Sequence, residues 1–349
     1  MTLNTTTGNQ SGGSGPGSNS KGVIFSGMRP TGRLHLGNYL GALQNWVELQ
    51  RDYRCIYCAV DIHALTTVET AEETAEIQPN IEDMVLDWLA AGVDPERNIV
   101  FVQSHVPEVM TLHTLLSMVT PLGWLMRVPT FKDKVRQMDE TEETVNYGLV
   151  GYPVLQTADI ILYKADTVPV GQDQVPHIEL SREIVRRFNN RYGETFPEPQ
   201  AKLTEAPLIL GLDGHQKMSK SLNNHLELAA TPEETAKRVA TAFTDPQRQR
   251  RDDPGRPEVC NIYSLHKIFS TPQEVGVVYD ECTTAKRGCV DCKRHLAANI
   301  NASLEPLRER RREFQSRPGY VREVLEYGGK RAGTIAKETI QEVYQKMGL

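Results

Sequence analysis

A turn constrains this chain more than any other feature. Val23, Ile24 and Phe25 form a short apolar run, and Leu40, Leu43, Trp46 and Val47 recur soon after it at helical spacing. Between them runs Pro30 to Asn38 (Pro-Thr-Gly-Arg-Leu-His-Leu-Gly-Asn), with glycines at 27, 32, 37 and 41. Glycine lets a backbone bend tightly and lets a ligand approach closely. A helix N-terminus presents free N–H groups and a partial positive charge, which suits phosphate. With His35 and Asn38 as added donors, the stretch reads as a nucleotide phosphate site in outline. It matches neither common phosphate-loop pattern.

The flanking sequence predicts an α/β fold. Cys55 to Val60 and Ile99 to Val102 are apolar runs of strand length, as expected of buried parallel strands. Helical patterns separate them: one over 38–50, and one with Ile81, Met84, Val85, Trp88 and Leu89 on one face, stopping at Gly92. Strands alternating with helices give an open parallel sheet, whose ligands bind beyond the carboxyl ends of the strands. Further along, 110–127, 156–163 and 178–188 read as helices, 168–174 as a strand end and turn, and 131–143 as a charged segment. Pro197, Pro199 and Pro207 mark a loop region. After Asn224 strand-like runs disappear. Thr231 caps a helix opening at Pro232, and further helices are expected over 296–314 and 333–347.

The expected organisation is a disordered tail over 1–21, a Rossmann-like domain over 22–223 and an all-helical domain over 224–349, with the last helix packing back on the first domain. The tail is rich in Gly, Ser, Thr and Asn and cannot bury enough surface to fold. No apolar run spans a bilayer and the start is no signal peptide, so a cytoplasmic protein without a membrane partner is expected. Six cysteines then point to a reducing compartment. The net charge of −6 argues against a generally basic nucleic-acid binder but allows a local basic footprint. Arg248, Arg250 and Arg251, and Arg308, Arg310, Arg311 and Arg312, form the dense basic runs; they are either solvated helix faces or RNA backbone contacts.

Lys217-Met218-Ser219-Lys220-Ser221 carries two lysines on an expected loop. Together with His35-Leu36-Gly37-Asn38, it resembles the paired signatures of the class I aminoacyl-tRNA synthetases; the first often ends in histidine where Asn38 stands. Phe25 to Gly32, Gly37 to Leu43, Asp61 to Ala64, Tyr152 to Ile160, Val168 to Gln174 and His177 to Leu180 extend the resemblance to the tryptophanyl-tRNA synthetases over 22–349. The resemblance implies ATP-dependent joining of L-tryptophan to tRNA(Trp) through tryptophanyl-adenylate, in a homodimer. It implies catalytic roles for His35, Asn38, Lys217 and Lys220. It places Arg29, Pro30, Thr31, Gly37, Asn38, Gly171, Gln172, Asp173, Leu208, Lys217, Met218, Ser219, Lys220 and Ser221 around ATP. It places Asp159, Tyr152, Gln156, Gly27 and Gln174 around tryptophan, with Asp159 accepting from the indole N–H. Arg29 and Gln172 depart from the residues many relatives carry there. The physical reading agrees at Asp159: a carboxylate among Leu155, Ile160, Ile161 and Leu162 is costly unless paired, and an indole N–H only donates. Mg²⁺ is expected to arrive with ATP, since no cage of carboxylates is visible.

Cys260, Cys282, Cys289 and Cys292 form the remaining cluster, ending in Cys-x-x-Cys. Thiolates gathered in this way bind Zn²⁺ or an iron–sulfur cluster, and His266 and His295 are available to complete a zinc site. The local sequence resembles the branch of the family with a [4Fe–4S] cluster, which implies that cofactor, with Zn²⁺ the alternative. Cys55 and Cys58 sit on an expected core strand and are read as packing.

Overall fold

The computed structural model describes residues 20–68, 70–128, 131–132, 144–203 and 209–349. Most of the expected tail, most of the charged segment and Leu208 therefore lie outside the described residues.

Five parallel strands form one sheet: β1 (Val23–Met28), β2 (Arg54–Ala59), β3 (Ile99–Val102), β4 (Thr167–Val170) and β5 (Gln200–Leu203), in the order β3-β2-β1-β4-β5. Side chains alternate across it. Phe25, Ile56, Cys58, Ile99 and Phe101 enter one core, while Ile24, Cys55, Tyr57, Val100 and Val102 enter the other. Cys55 and Cys58 thus face opposite sides of the sheet and cannot share a ligand. Strand β5 was not expected: its Gln-Ala-Lys-Leu sequence is a half-exposed, charged edge without an apolar run.

The helices differ from expectation where proline or glycine interrupts a pattern. After β1 the chain makes one turn, α1 (Leu36–Asn38), widens into a π-helical turn over Tyr39–Leu43, then continues as α2 (Gln44–Leu49). Helices α3 (Asp61–Ala64), α4 (Ala71–Ala75) and α5 (Ile77–Ala91) follow β2. The single helix expected over 110–127 is two, α6 (Glu108–Ser117) and α7 (Leu122–Leu125), because Pro121 restrains Thr120 from the helical region. Helix α8 (Tyr147–Leu162) starts nine residues earlier than expected, capped by Asn146, whose side chain accepts the Leu149 N–H at 2.9 Å. Pro153 lies within it. Helix α9 (Val175–Tyr192) links β4 to β5.

From residue 224 on, the named elements are helices: α10 (Pro232–Ala240), α11 (Asn261–Phe269), α12 (Pro272–Thr283), α13 (Cys289–Gln315) and α14 (Tyr320–Met347). Leu296, Ile300, Leu304 and Leu307 of α13 join the core that holds Ile81, Met84 and Trp88 of α5. Helix α14 lies across β3 so closely that a Cβ on Gly328 would stand 1.8 Å from the Val100 carbonyl oxygen. Among the described residues no helix is long and apolar enough to cross a membrane.

Candidate active site

Strands β1 and β4 are neighbours whose chain connections leave in opposite directions, and their carboxyl ends frame a crevice. A cavity of about 430 Å³ opens there. Gly27 at the end of β1 and Arg29 just after it line the cavity, with Gly171 and Gln174 after β4, and Tyr152, Gln156 and Asp159 from α8. Gly41 and Ala42 of the π turn form another wall; a Cβ on Gly41 would meet nothing within 4 Å. π-turns of this kind recur at functional sites.

Asp159 is buried at the base of the cavity. Gln103 Nε2 donates to both its oxygens at 2.8 Å, and His63 Nε2 lies 2.9 Å from Oδ2. Gln103 Oε1 accepts the backbone N–H groups of Ile62 and His63 at 3.1 and 3.3 Å, which fixes the orientation of the amide. Neither His63 nor Gln103 is among the residues expected from sequence to form the site. The available signal for Gln103 was positional: it is a polar residue directly after the carboxyl end of a buried parallel strand. Tyr152 Oη pairs with the buried His177 Nε2 at 2.7 Å.

The two signatures meet at the same crevice. The strand-like segment 226–228 holds the first: Leu36 N–H donates to Leu226 O, and Leu228 N–H to Leu34 O, both at 2.9 Å. His35 is buried, and its imidazole is pushed down to about 4 by burial, then by His225, Lys220 and Lys217. It is neutral at neutral pH. Its backbone N–H donates to Asn38 Oδ1 at 3.1 Å. The helix N-terminus expected here is that of α1, which is three residues long and runs on into the π turn.

Met218 of the second signature is buried, with its N–H on Ile209 O at 2.9 Å, and packs 3.3 Å from where a Cβ on Gly37 would lie. Asn224 braces this loop. Its Oδ1 accepts Ser219 N–H at 2.7 Å, while its Nδ2 donates to Asp213 Oδ2 at 2.7 Å and to Lys217 O at 3.3 Å. Ser219 and Ser221 pair through their hydroxyls at 2.8 Å. Lys217 is exposed. Lys220 is half-buried and reaches the Thr31 carbonyl at 3.2 Å; burial lowers its ammonium pKa. Pro30 is buried beside Thr31, and Arg29 Nη1 donates to Thr67 Oγ1 at 3.2 Å. Gln172 and Asp173 are exposed on a short 3₁₀ turn, where Gln174 Nε2 donates to Asp173 Oδ2 at 2.9 Å.

The four cysteines lie together in the helical region, away from this crevice. Burial and the neighbouring thiols of Cys260, Cys282 and Cys289 push the Cys292 thiol up to about 12, against the pull of Arg287. Arg248 Nη1 stands 3.6 Å from Cys282 Sγ, and a Cβ on Gly255 would come within 2.5 Å of that sulfur. No three of the described His, Cys, Asp or Glu side chains form a ready set of ligands for a single ion. His295 is engaged by Glu274 and Arg287, and His266 by Ser270 and Cys292.

The basic runs are corrected in part. Arg308 and Arg311 are buried: Arg308 binds Leu228 O, Thr235 and Asn301, and Arg311 pairs with Asp83 and Asp87. Arg310 donates to Ala90 O at 2.5 Å. All three hold α13 to its neighbours; Arg308 and Arg311 are not presented to an RNA backbone, whereas Arg310 is exposed. Arg312 is exposed and pairs with Glu305.

The family model described as tRNA synthetases class I (W and Y) matches residues 18–305, so sheet, crevice and paired signatures are those of a class I aminoacyl-tRNA synthetase. Relatives include the tryptophan–tRNA ligases of Deinococcus radiodurans, 45% identical over 93% of this chain and 98% of the relative, and of Thermotoga maritima, 44% identical over 93% and 99%. The crystal structure of tryptophanyl-tRNA synthetase from Campylobacter jejuni complexed with ADP and tryptophan superimposes with a TM-score of 0.84, at 33% identity over 94% of this chain and all of that one. The chain belongs to the tryptophanyl-tRNA synthetase family.

Proposed function

We infer that this chain ligates L-tryptophan to tRNA(Trp) at the expense of ATP. A tryptophan carboxylate oxygen attacks the α-phosphorus and pyrophosphate leaves. A hydroxyl of the tRNA's 3′-terminal ribose then attacks the acyl carbon of the adenylate and AMP leaves. One observation carries this reading: Lys220 of the second signature reaches the Thr31 carbonyl in the loop that leads to the first, and the same loop, through Arg29, lines the cavity that holds Asp159.

The roles follow from charge and geometry. Asp159, oriented by Gln103 and His63, accepts the indole N–H, with Gly27, Tyr152, Gln156 and Gln174 around the substrate. His35, neutral, and Asn38 donate to phosphate oxygens on one side of ATP. Lys217 and Lys220 neutralise the other side as charge passes to pyrophosphate, and Lys220 leaves the Thr31 carbonyl to do so. Arg29, Pro30, Thr31, Gly37, Gly171, Gln172, Asp173, Met218, Ser219 and Ser221 frame the nucleotide, and Mg²⁺ enters with ATP. Residues 22–223 then serve activation and 224–349 serve tRNA. Amino-acid-dependent ATP–pyrophosphate exchange, run with each amino acid separately, tests the reading. Exchange with tryptophan alone is expected; exchange with tyrosine alone would overturn it.

The cysteines are proposed to hold a [4Fe–4S] cluster. The Cys282 and Cys292 thiols, pushed up by burial and then by the neighbouring cysteines, favour a cation among the four, Gly255 leaves room at Cys282, and Arg248 and Arg287 offset thiolate charge. A four-iron cluster is also wider than one ion, which suits thiols that are near one another without forming a single-ion set. When bound, the cluster clips α11, α12 and α13 together. A homodimer is proposed as well. Exposed Leu65, Met110 and Tyr147 line an apolar cavity of about 500 Å³ that shares Thr66 and Tyr152 with the substrate cavity, a surface suited to burial by a second copy. Free thiols throughout support a cytoplasmic location.

A further inference from the structure

The loop that carries the first signature is held from below by two carboxylates of α5. Asp87, fully buried, accepts the Leu34 N–H at 3.2 Å, and Asp83 lies 3.4 Å from Arg33 Nε. Both carboxylates answer to one cation on α13: Arg311 Nε stands 3.2 Å from Asp87 Oδ1, and Arg311 Nη2 pairs with Asp83. Two residues immediately before His35 are thereby tied to a guanidinium from the C-terminal helical region. Lys220 lies in the same field, attracted by Glu227, Asp87 and Asp83 while it rests on the Thr31 carbonyl.

We propose that Arg311 and Asp87 form a positioning pair for adenylate formation, through which the helical region sets the place of His35 and the release of Lys220. The proposal rests on the activity inferred above. Arg311 offsets Asp87 and, together with Arg33, Asp83, so Lys220 is free to exchange Thr31 for a triphosphate oxygen. Without Arg311, Asp83 is left with the half-exposed Arg33 and holds the ammonium back, and the Leu34 N–H loses an acceptor fixed from α13. Neither residue touches substrate. Burial also pushes the Asp87 carboxyl up to about 6 despite Arg311, as expected of a charge held in place by one partner.

Arg311→Met alone leaves a buried charge unpaired and is expected to unfold readily. The test therefore uses Arg311→Met with Asp87→Asn, where the amide still accepts the Leu34 N–H and no unpaired charge remains on Asp87, and Arg311→Lys, which keeps the charge but loses the fork. ATP–pyrophosphate exchange is measured well below each variant's melting temperature. The double variant is expected to lose roughly 100-fold in kcat, the scale of a small misplacement of reacting groups, with the KM for tryptophan unchanged. Arg311→Lys should recover part of that loss. A folded double variant with wild-type kcat and KM for ATP would make the pair purely structural and overturn the proposal. Wild-type protein without tryptophan-dependent exchange would instead overturn the activity itself.

Discussion

Gln103 and Asp159 lie 56 residues apart in sequence, yet the amide nitrogen of Gln103 stands 2.8 Å from each carboxylate oxygen. A hydrogen bond to a buried charge contributes about 1.5–3 kcal/mol. Gln103→Leu is therefore expected to raise the KM for tryptophan about 10- to 100-fold while leaving the KM for ATP nearly unchanged. Asp159→Ala should go further and erode discrimination against tyrosine and phenylalanine. Steady-state exchange with each amino acid separates the two effects; full selectivity in Asp159→Ala would remove it as the indole acceptor.

Lys220 touches Thr31, in the loop that leads to the first signature, and is proposed to act on charge that develops during attack. Removing one such donor typically costs on the order of 100- to 1,000-fold in rate. Lys220→Ala should show that loss in single-turnover adenylate formation, with tryptophan affinity by equilibrium dialysis unchanged. Equal losses in both would contradict the role.

His35 predicts a pH dependence of stability. Its folded pKa of about 4 lies below the ordinary histidine value near 6.5, so the unfolded chain binds the extra proton. Its contribution is fully present above about 6.5 and declines as pH falls from there towards 4. Urea unfolding from pH 7 to pH 4 should show a shallower loss of stability in His35→Asn than in wild type. Parallel curves would mean that the imidazole is not held neutral.

Gly328 and Gly333 lie about 1.4 turns apart on α14 but differ in surroundings. An added Cβ at 328 would strike the Val100 carbonyl, whereas at 333 it would meet nothing within 4 Å. Gly328→Ala should destabilise by about 3 kcal/mol, and Gly333→Ala should stabilise by about 0.5–1 kcal/mol. Denaturant midpoints at constant slope decide this, and a neutral Gly328→Ala would show that α14 does not depend on close approach to β3.

The cysteine cluster predicts a brown protein when oxygen is excluded during purification, with iron and acid-labile sulfide in equal amounts. Cys289→Ser should lose the colour and loosen 260–295 in hydrogen exchange, while ATP–pyrophosphate exchange largely survives. Stoichiometric zinc in colourless anaerobic protein would leave a zinc site in place of the cluster.

What the sequence determined by itself was local or carried by motif. The apolar runs at 23–25, 55–60 and 99–102 announce buried parallel strands because only strands covered on both faces are apolar throughout. The two signatures, being contiguous, could be read without knowing their distance in space. The tertiary structure alone decided what depends on long-range approach. Strand β5 owes its existence to pairing with β4, since its own residues are those of an exposed edge. Gln103 and His63 become partners of Asp159 only when the ends of β2, β3 and α8 converge. Arg308 and Arg311 look like surface charge in sequence, because a run of arginines on a helix gives no sign of the carboxylates and carbonyls another element will bring to it. Periodicity reports which face of an element is buried, but it cannot report which polar groups will meet there, and most of this site is made of such meetings.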